Sequence, residues 1–120
     1  ALLWWLAGDE RLPVPLRDRL HDSRENALVS VVSVFEIATK HRIGKLPLAQ
    51  DLAADLPSVL VAQGFELLPL GAGVAFRAGR LPGPHRDPFD RLLIAQALVA
   101  DLTLVSNERI FDTYGVSRLW

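Results

Sequence analysis

The sequence predicts an α/β fold with a mainly parallel sheet, and three observations carry that expectation. Short apolar runs alternate with longer stretches of helical periodicity along the 120 residues, the pattern of strands connected through helices. Residues 27–32, "ALVSVV", are nearly all apolar, as expected of a strand buried on both faces. Glycines stand where helical patterns stop, at Gly8, Gly44, Gly64 and Gly79.

In chain order, residues 2–6 form a short apolar run whose Leu3, Trp4 and Leu6 suit one side of a helix. Residues 15–22 place Leu16 and Leu20 four apart among charges, a short surface helix. After the strand at 27–32, Ser33 is positioned to cap a helix running to about Ile43. Residues 49–64 read as a helix with a kink or break at Pro57. A strand at 65–70 and a helix at 73–82, ending around Gly79, follow. Residues 88–100 give the most apolar helix, with Leu92, Leu93, Ala95, Gln96 and Val99 spread around its circumference. A strand at 102–106, a short helix at 107–115 and an edge strand at 116–120 complete the pattern. With no repeat, low-complexity tract or linker, residues 1–120 read as one domain.

Composition narrows the chemistry. Half the residues are hydrophobic and the formal charge is −1, so bulk electrostatics do not mark a polyanion binder. Arginine supplies 11 of the 13 basic residues, which suits bidentate phosphate contacts and equally follows from biased composition. With no cysteine, disulfide frameworks and thiolate metal sites are excluded, in keeping with a reducing cytoplasm. No apolar run approaches the roughly 20 residues of a membrane span, so no membrane partner is expected.

Carboxylates stand at three junctions. Glu36 lies three residues after Ser33, Asp90 three after Asp87, and Glu108 two after Ser106. Each has a structural explanation. Ser33–Glu36 has the spacing of a capping box, Asp87-Pro88 is a capped helix start with proline at its first position, and Ser106-Asn107-Glu108 is a third acceptable start. Taken together, they also support a functional reading. Helices that follow parallel strands begin at the carboxyl edge of the sheet, where ligands bind, so the acids can converge on one crevice. Carboxylates gathered there need a compensating cation. Oxygen donors without thiolates select Mg²⁺ or Mn²⁺, ions that serve phosphodiester hydrolysis.

Four stretches match a known pattern: "LLWWLAGD" (2–9), "SVVSVFEIATKHRIGKLPL" (30–48), "HRDPFDRLLIAQAL" (85–98) and "LVSNERIFDTYGVSRLW" (104–120). With these, the chain resembles the PIN-domain family, specifically VapC-like ribonuclease toxins of type II toxin–antitoxin pairs. The resemblance implies a three-layer α/β/α sandwich and a Mg²⁺- or Mn²⁺-dependent endoribonuclease. It also implies a cognate antitoxin and a homodimer. Glu36 matches the helix-borne glutamate and Asp90 the aspartate before the "IA.A" helix. Ser106 and Glu108 match the family's Thr-x-Asp, with serine and glutamate substituted. Asp87 matches an accessory acidic position. On this basis Glu36, Asp90, Glu108 and Asp87 are the expected metal ligands, and Ser106 orients the site.

The chain departs from the family at its start. Such proteins open on a strand ending in Asp-Thr-His directly before an "ALLWWL"-like helix, whereas this sequence begins at Ala1. The expectation is therefore a sheet lacking its first strand and first aspartate here, with upstream residues supplying them. The alternative is a truncated, inactive PIN-like interaction module. Near the site, His85 and Arg86 are placed to touch an RNA phosphate or to sit in a solvated loop. Arg42 and Lys45 have the same two readings, and Lys40 stands at helical ion-pair spacing from Glu36. Trp4 and Trp5 are adjacent and cannot share one helix face, so either one is available for a dimer or antitoxin surface or both pack in the core against different neighbours. A phospho-receiver domain would require a lysine after a late strand, and the only lysines are Lys40 and Lys45.

Overall fold

Helix α1 (Val14–Asp22) is the first element of the computed structural model, which describes residues 13–22 and 27–120. The expected helix at 2–6, with Trp4 and Trp5, lies outside the described residues. Leu16 is the buried anchor of α1. Strand β1 (Leu28–Ser30) then runs directly into helix α2 (Val31–Arg42). The expected strand is cut short because Ser30, not Ser33, caps α2: its Oγ accepts a hydrogen bond from the Val32 N–H at 3.0 Å. Val29 and Ser30, which point to opposite faces, are both buried, as expected of a strand covered on both sides, and only Leu28 at its start is exposed.

Gly44 stops α2 with φ +78°, a left-handed conformation that suits glycine. Helix α3 (Gln50–Ala62) contains the break expected at Pro57, displaced two residues toward the N-terminus. Asp55 is non-helical there (φ −160°, ψ 78°), and its carboxylate accepts hydrogen bonds from the Ser58 N–H and hydroxyl. The aspartate thus caps a second helical segment in whose first turn proline is tolerated.

Strand β2 (Glu66–Leu68) pairs in parallel with β1, Val29 opposite Leu67. Helix α4 (Ala72–Arg80) passes through Gly79 and stops at Leu81. The residue before a proline avoids helical geometry, so Pro82 ends this helix instead of Gly79. Helix α5 (Pro88–Ala100) has the expected bounds and closes on Asp101 in the left-handed conformation. Ile94, Ala95, Gln96 and Ala97 are all buried, so four consecutive residues cover its circumference, whereas Val99 is exposed.

Strand β3 (Leu104–Val105), a 3₁₀ helix (Arg109–Tyr114) and strand β4 (Arg118–Leu119) complete the chain, with β4 parallel to β3. The fold is therefore α/β with parallel pairing. Among the described residues the strands form two separate pairs, β1–β2 and β3–β4. Each pair has its own apolar cluster. Val29, Ile37, Leu56 and Leu60 form one, and Ile94, Ala97, Phe111 and Val116 form the other. Helix α5 bridges them through Gln96: the Ser30 hydroxyl donates to its Oε1, and its Nε2 donates to the Pro69 carbonyl at 3.1 Å.

Candidate metal centre

A cavity of about 740 Å³ opens between the two strand pairs, bordered by Leu28, Val29 and Ser30 of β1 and by Leu104 and Val105 of β3. Leu93, Gln96 and Ala97 of α5 also line it, together with Ile37 of α2. Glu36, Asp90, Glu108 and Ser106 all stand on this cavity, and so does Lys40. Asp87 does not.

Local sequence explains each placement. Because α2 begins at Val31, Ser33 lies inside the helix and the Ser33–Glu36 capping box does not form. Glu36 is therefore free of any capping role and extends one turn further along α2. Its Oε2 pairs with Lys40 Nζ at 2.7 Å, with the carboxylate side chain 19% exposed and the lysine 46%. Phe35, next to Glu36, meets Phe89, next to Asp90, with ring centroids 5.8 Å apart. That aromatic contact holds α2 against the first turn of α5 and brings both acids to one wall.

Asp87 is the N-cap of α5. Its Oδ1 accepts hydrogen bonds from the N–H groups of Phe89 at 2.9 Å and Asp90 at 3.2 Å. Asp90, one turn in, benefits from the positive end of the helix dipole. Its Oδ2 lies 2.8 Å from His85 Nε2, leaving Oδ1 without a protein partner in that contact. The loop carrying His85 is itself braced. Arg91 donates from Nε to the Ala78 carbonyl at 3.1 Å, from Nη1 to the His85 carbonyl at 3.0 Å, and from Nη2 to the Leu81 carbonyl. Gly83, in the same loop, has φ +97°, and a Cβ there would lie 2.7 Å from the Tyr114 hydroxyl oxygen, so neither geometry nor space admits a side chain.

On the opposite strand pair, the Ser106 Oγ accepts a hydrogen bond from the Glu108 N–H at 3.1 Å, which fixes the turn after β3. Glu108 occupies the cap position of the 3₁₀ helix without using its side chain to cap, so the carboxylate remains available. Arg118 of β4 grips both oxygens of Asp112, at 2.9 and 3.1 Å, and donates to the Ser106 carbonyl at 3.1 Å. The edge strand thereby steadies the turn that presents Glu108.

The electrostatics follow from these contacts. Hydrogen bonding to Glu36, with the further negative charges of Asp87 and Asp90, holds the Lys40 ammonium above the usual lysine range despite some opposing desolvation. Arg118 lowers the Asp112 carboxyl, and hydrogen bonds from Ser58 lower Asp55. The cavity acids are hard oxygen donors in a protein with no cysteine, a donor set that fits Mg²⁺ or Mn²⁺. Among the described residues, no three acids or histidines stand close enough to hold an ion between them.

The model of one protein family, described as PIN domain, matches residues 1–116. The chain belongs to the PIN-domain family. PIN domains are generally nucleases, often toxins of toxin–antitoxin systems, and typically use divalent metals such as Mg²⁺. No curated protein and no solved structure matches this chain. No helix of the described residues is long and apolar enough to cross a membrane. Within the PIN family assignment, four features of this site escaped the sequence reading. The Gln96 tie to Ser30 joins positions 66 residues apart and has no local signal. The Arg91 brace on the His85 loop and the Arg118 brace on the Ser106 turn depend on carbonyls, which sequence patterns do not mark. The His85–Asp90 contact had one available signal, a histidine five residues before the acid.

Proposed function

We propose that this PIN domain is a metal-dependent endoribonuclease, with Glu36, Asp90 and Glu108 as the acids that would hold Mg²⁺ or Mn²⁺, directly or through water. The observation that carries the reading is that the three acids, distant in sequence, border one cavity between two parallel strand pairs. The chemistry such an ion supplies when bound is charge neutralisation on the phosphate and activation of an attacking water. The chain's own residues prepare the surface. Asp87 fixes the first turn of α5 and so aims Asp90, His85 orients one Asp90 oxygen, and Ser106 sets the turn that carries Glu108.

The same reading makes residues 1–120 one domain with a three-layer α/β/α architecture. β1 and β3 each pair on one side only among the described residues and both border the cavity. A strand lying between them would unite the two pairs into one sheet and satisfy edge groups that are costly to leave unmade. An aspartate on such a strand would add a fourth acid to the wall. In the cell we assign the protein to the cytoplasm as a toxin, a homodimer neutralised by a cognate antitoxin.

The reading is tested by incubating the protein with single-stranded RNA in Mg²⁺ or Mn²⁺ and in excess EDTA. Cleavage that requires the divalent ion and is restored on its return is expected. Cleavage that proceeds equally in EDTA contradicts the assignment.

A further inference from the structure

We propose that Lys40 is a tethered counter-ion of the acidic wall: its ammonium holds Glu36 until a divalent cation takes the carboxylate, and then turns to the phosphate backbone of the RNA. The inference rests on the reading of that wall as a metal-binding surface.

Among the described residues bordering the cavity, Lys40 is the sole cationic side chain, facing the acids Glu36, Asp90 and Glu108. Its Nζ is 2.7 Å from Glu36 Oε2, yet the two partners differ in freedom. The glutamate is largely enclosed, while nearly half of the lysine side chain is open to water. The acid is therefore held at the wall, and the ammonium sits on a flexible stem that can leave. A pair at this helical spacing with its lysine open to water is weak, so an ion of twice the charge competes for the carboxylate on favourable terms. Asp90 differs, because its partner His85 is held by a loop that Arg91 braces. Of the two contacts, only the lysine's is built to exchange. Once released, the ammonium remains on the rim of the same cavity as a point charge suited to phosphate.

The proposal predicts effects of opposite sign from one substitution. Lys40→Gln removes the competing charge, so Mn²⁺ alone, titrated into the full chain by calorimetry, should bind roughly two- to tenfold more tightly. The same variant should bind a fluorescent single-stranded oligoribonucleotide more weakly, measured with Ca²⁺ in place of Mn²⁺. Lys40→Arg should restore most of the RNA affinity. Asp90→Asn, run alongside, separates this proposal from the metal reading beneath it. If Asp90→Asn loses Mn²⁺ while Lys40→Gln binds it as the parent does, the counter-ion role is overturned and the metal site stands. If neither the parent nor Lys40→Gln binds Mn²⁺, both are overturned. A Lys40→Gln variant that weakens metal and RNA binding together also contradicts the proposal, because a merely structural lysine would act that way.

Discussion

Asp87 and Asp90, three residues apart at one helix start, show how the same side-chain type divides its work by geometry. Asp87 spends Oδ1 on two backbone N–H groups that the first turn would otherwise leave unmade, and it stands off the cavity. Asp90 caps nothing and borders the cavity. Asp87→Ala should therefore cost about 0.5–2 kcal/mol of stability by urea unfolding, while Asp87→Asn, an equally good cap, should cost far less. If Asp87→Asn keeps its stability but loses RNA cleavage, Asp87 contacts the metal or substrate after all. Glu36 illustrates what residue spacing leaves ambiguous. Ser33 and Glu36 have capping-box spacing, but the helix starts at Val31 and Ser30 caps it, its hydroxyl also reaching Gln96 across the fold. That distant partner is invisible to a local pattern.

At the scale of elements, legibility followed local chemistry. Helix α5 was readable to its ends because Asp87-Pro88 starts it unambiguously and the apolar run stops at Asp101. The strands were over-read, since apolar character continues into residues that helix caps or turns recruit instead, as at Val31 and Val32. Two exposed carboxylates join elements in ways that pH can probe. Asp55 caps the second segment of α3, and Asp112 binds Arg118 to hold β4 beside the 3₁₀ helix. Both ionise more readily folded than their ordinary value of 3.8. Their contribution is thus present above that pH and fades as pH falls through the lower folded values. Asp112→Asn should accordingly lose less stability than the parent when urea midpoints are compared from pH 5 down toward roughly pH 3. An unchanged acid limb would mean that the Arg118 fork contributes nothing in solution. Lys40 works in the other direction. Its folded value lies above 10.5, so its contribution is complete below that pH and is lost in stronger alkali.

Across the whole molecule, two parallel strand pairs with separate apolar clusters face each other over one cavity, and α5 links them. The α/β class was legible because strand–helix alternation is a local feature, and the candidate acids could be nominated from their places near helix starts. The arrangement of those acids was not, since it depends on the Phe35–Phe89 contact, the Gln96 tie and the Arg118 brace, which connect distant segments. The acids on this wall are proposed to carry out phosphodiester cleavage. Asp90→Asn tests this role most directly, because the change is nearly isosteric and spares the Asp87 cap. Rates of Mg²⁺-dependent RNA cleavage should be compared for parent and variant, with thermal unfolding measured on the same preparations. A loss of at least about a hundredfold in rate with little change in unfolding temperature is expected, the scale for removing a group that acts on the transition state. Cleavage by Asp90→Asn as fast as by the parent would contradict that role.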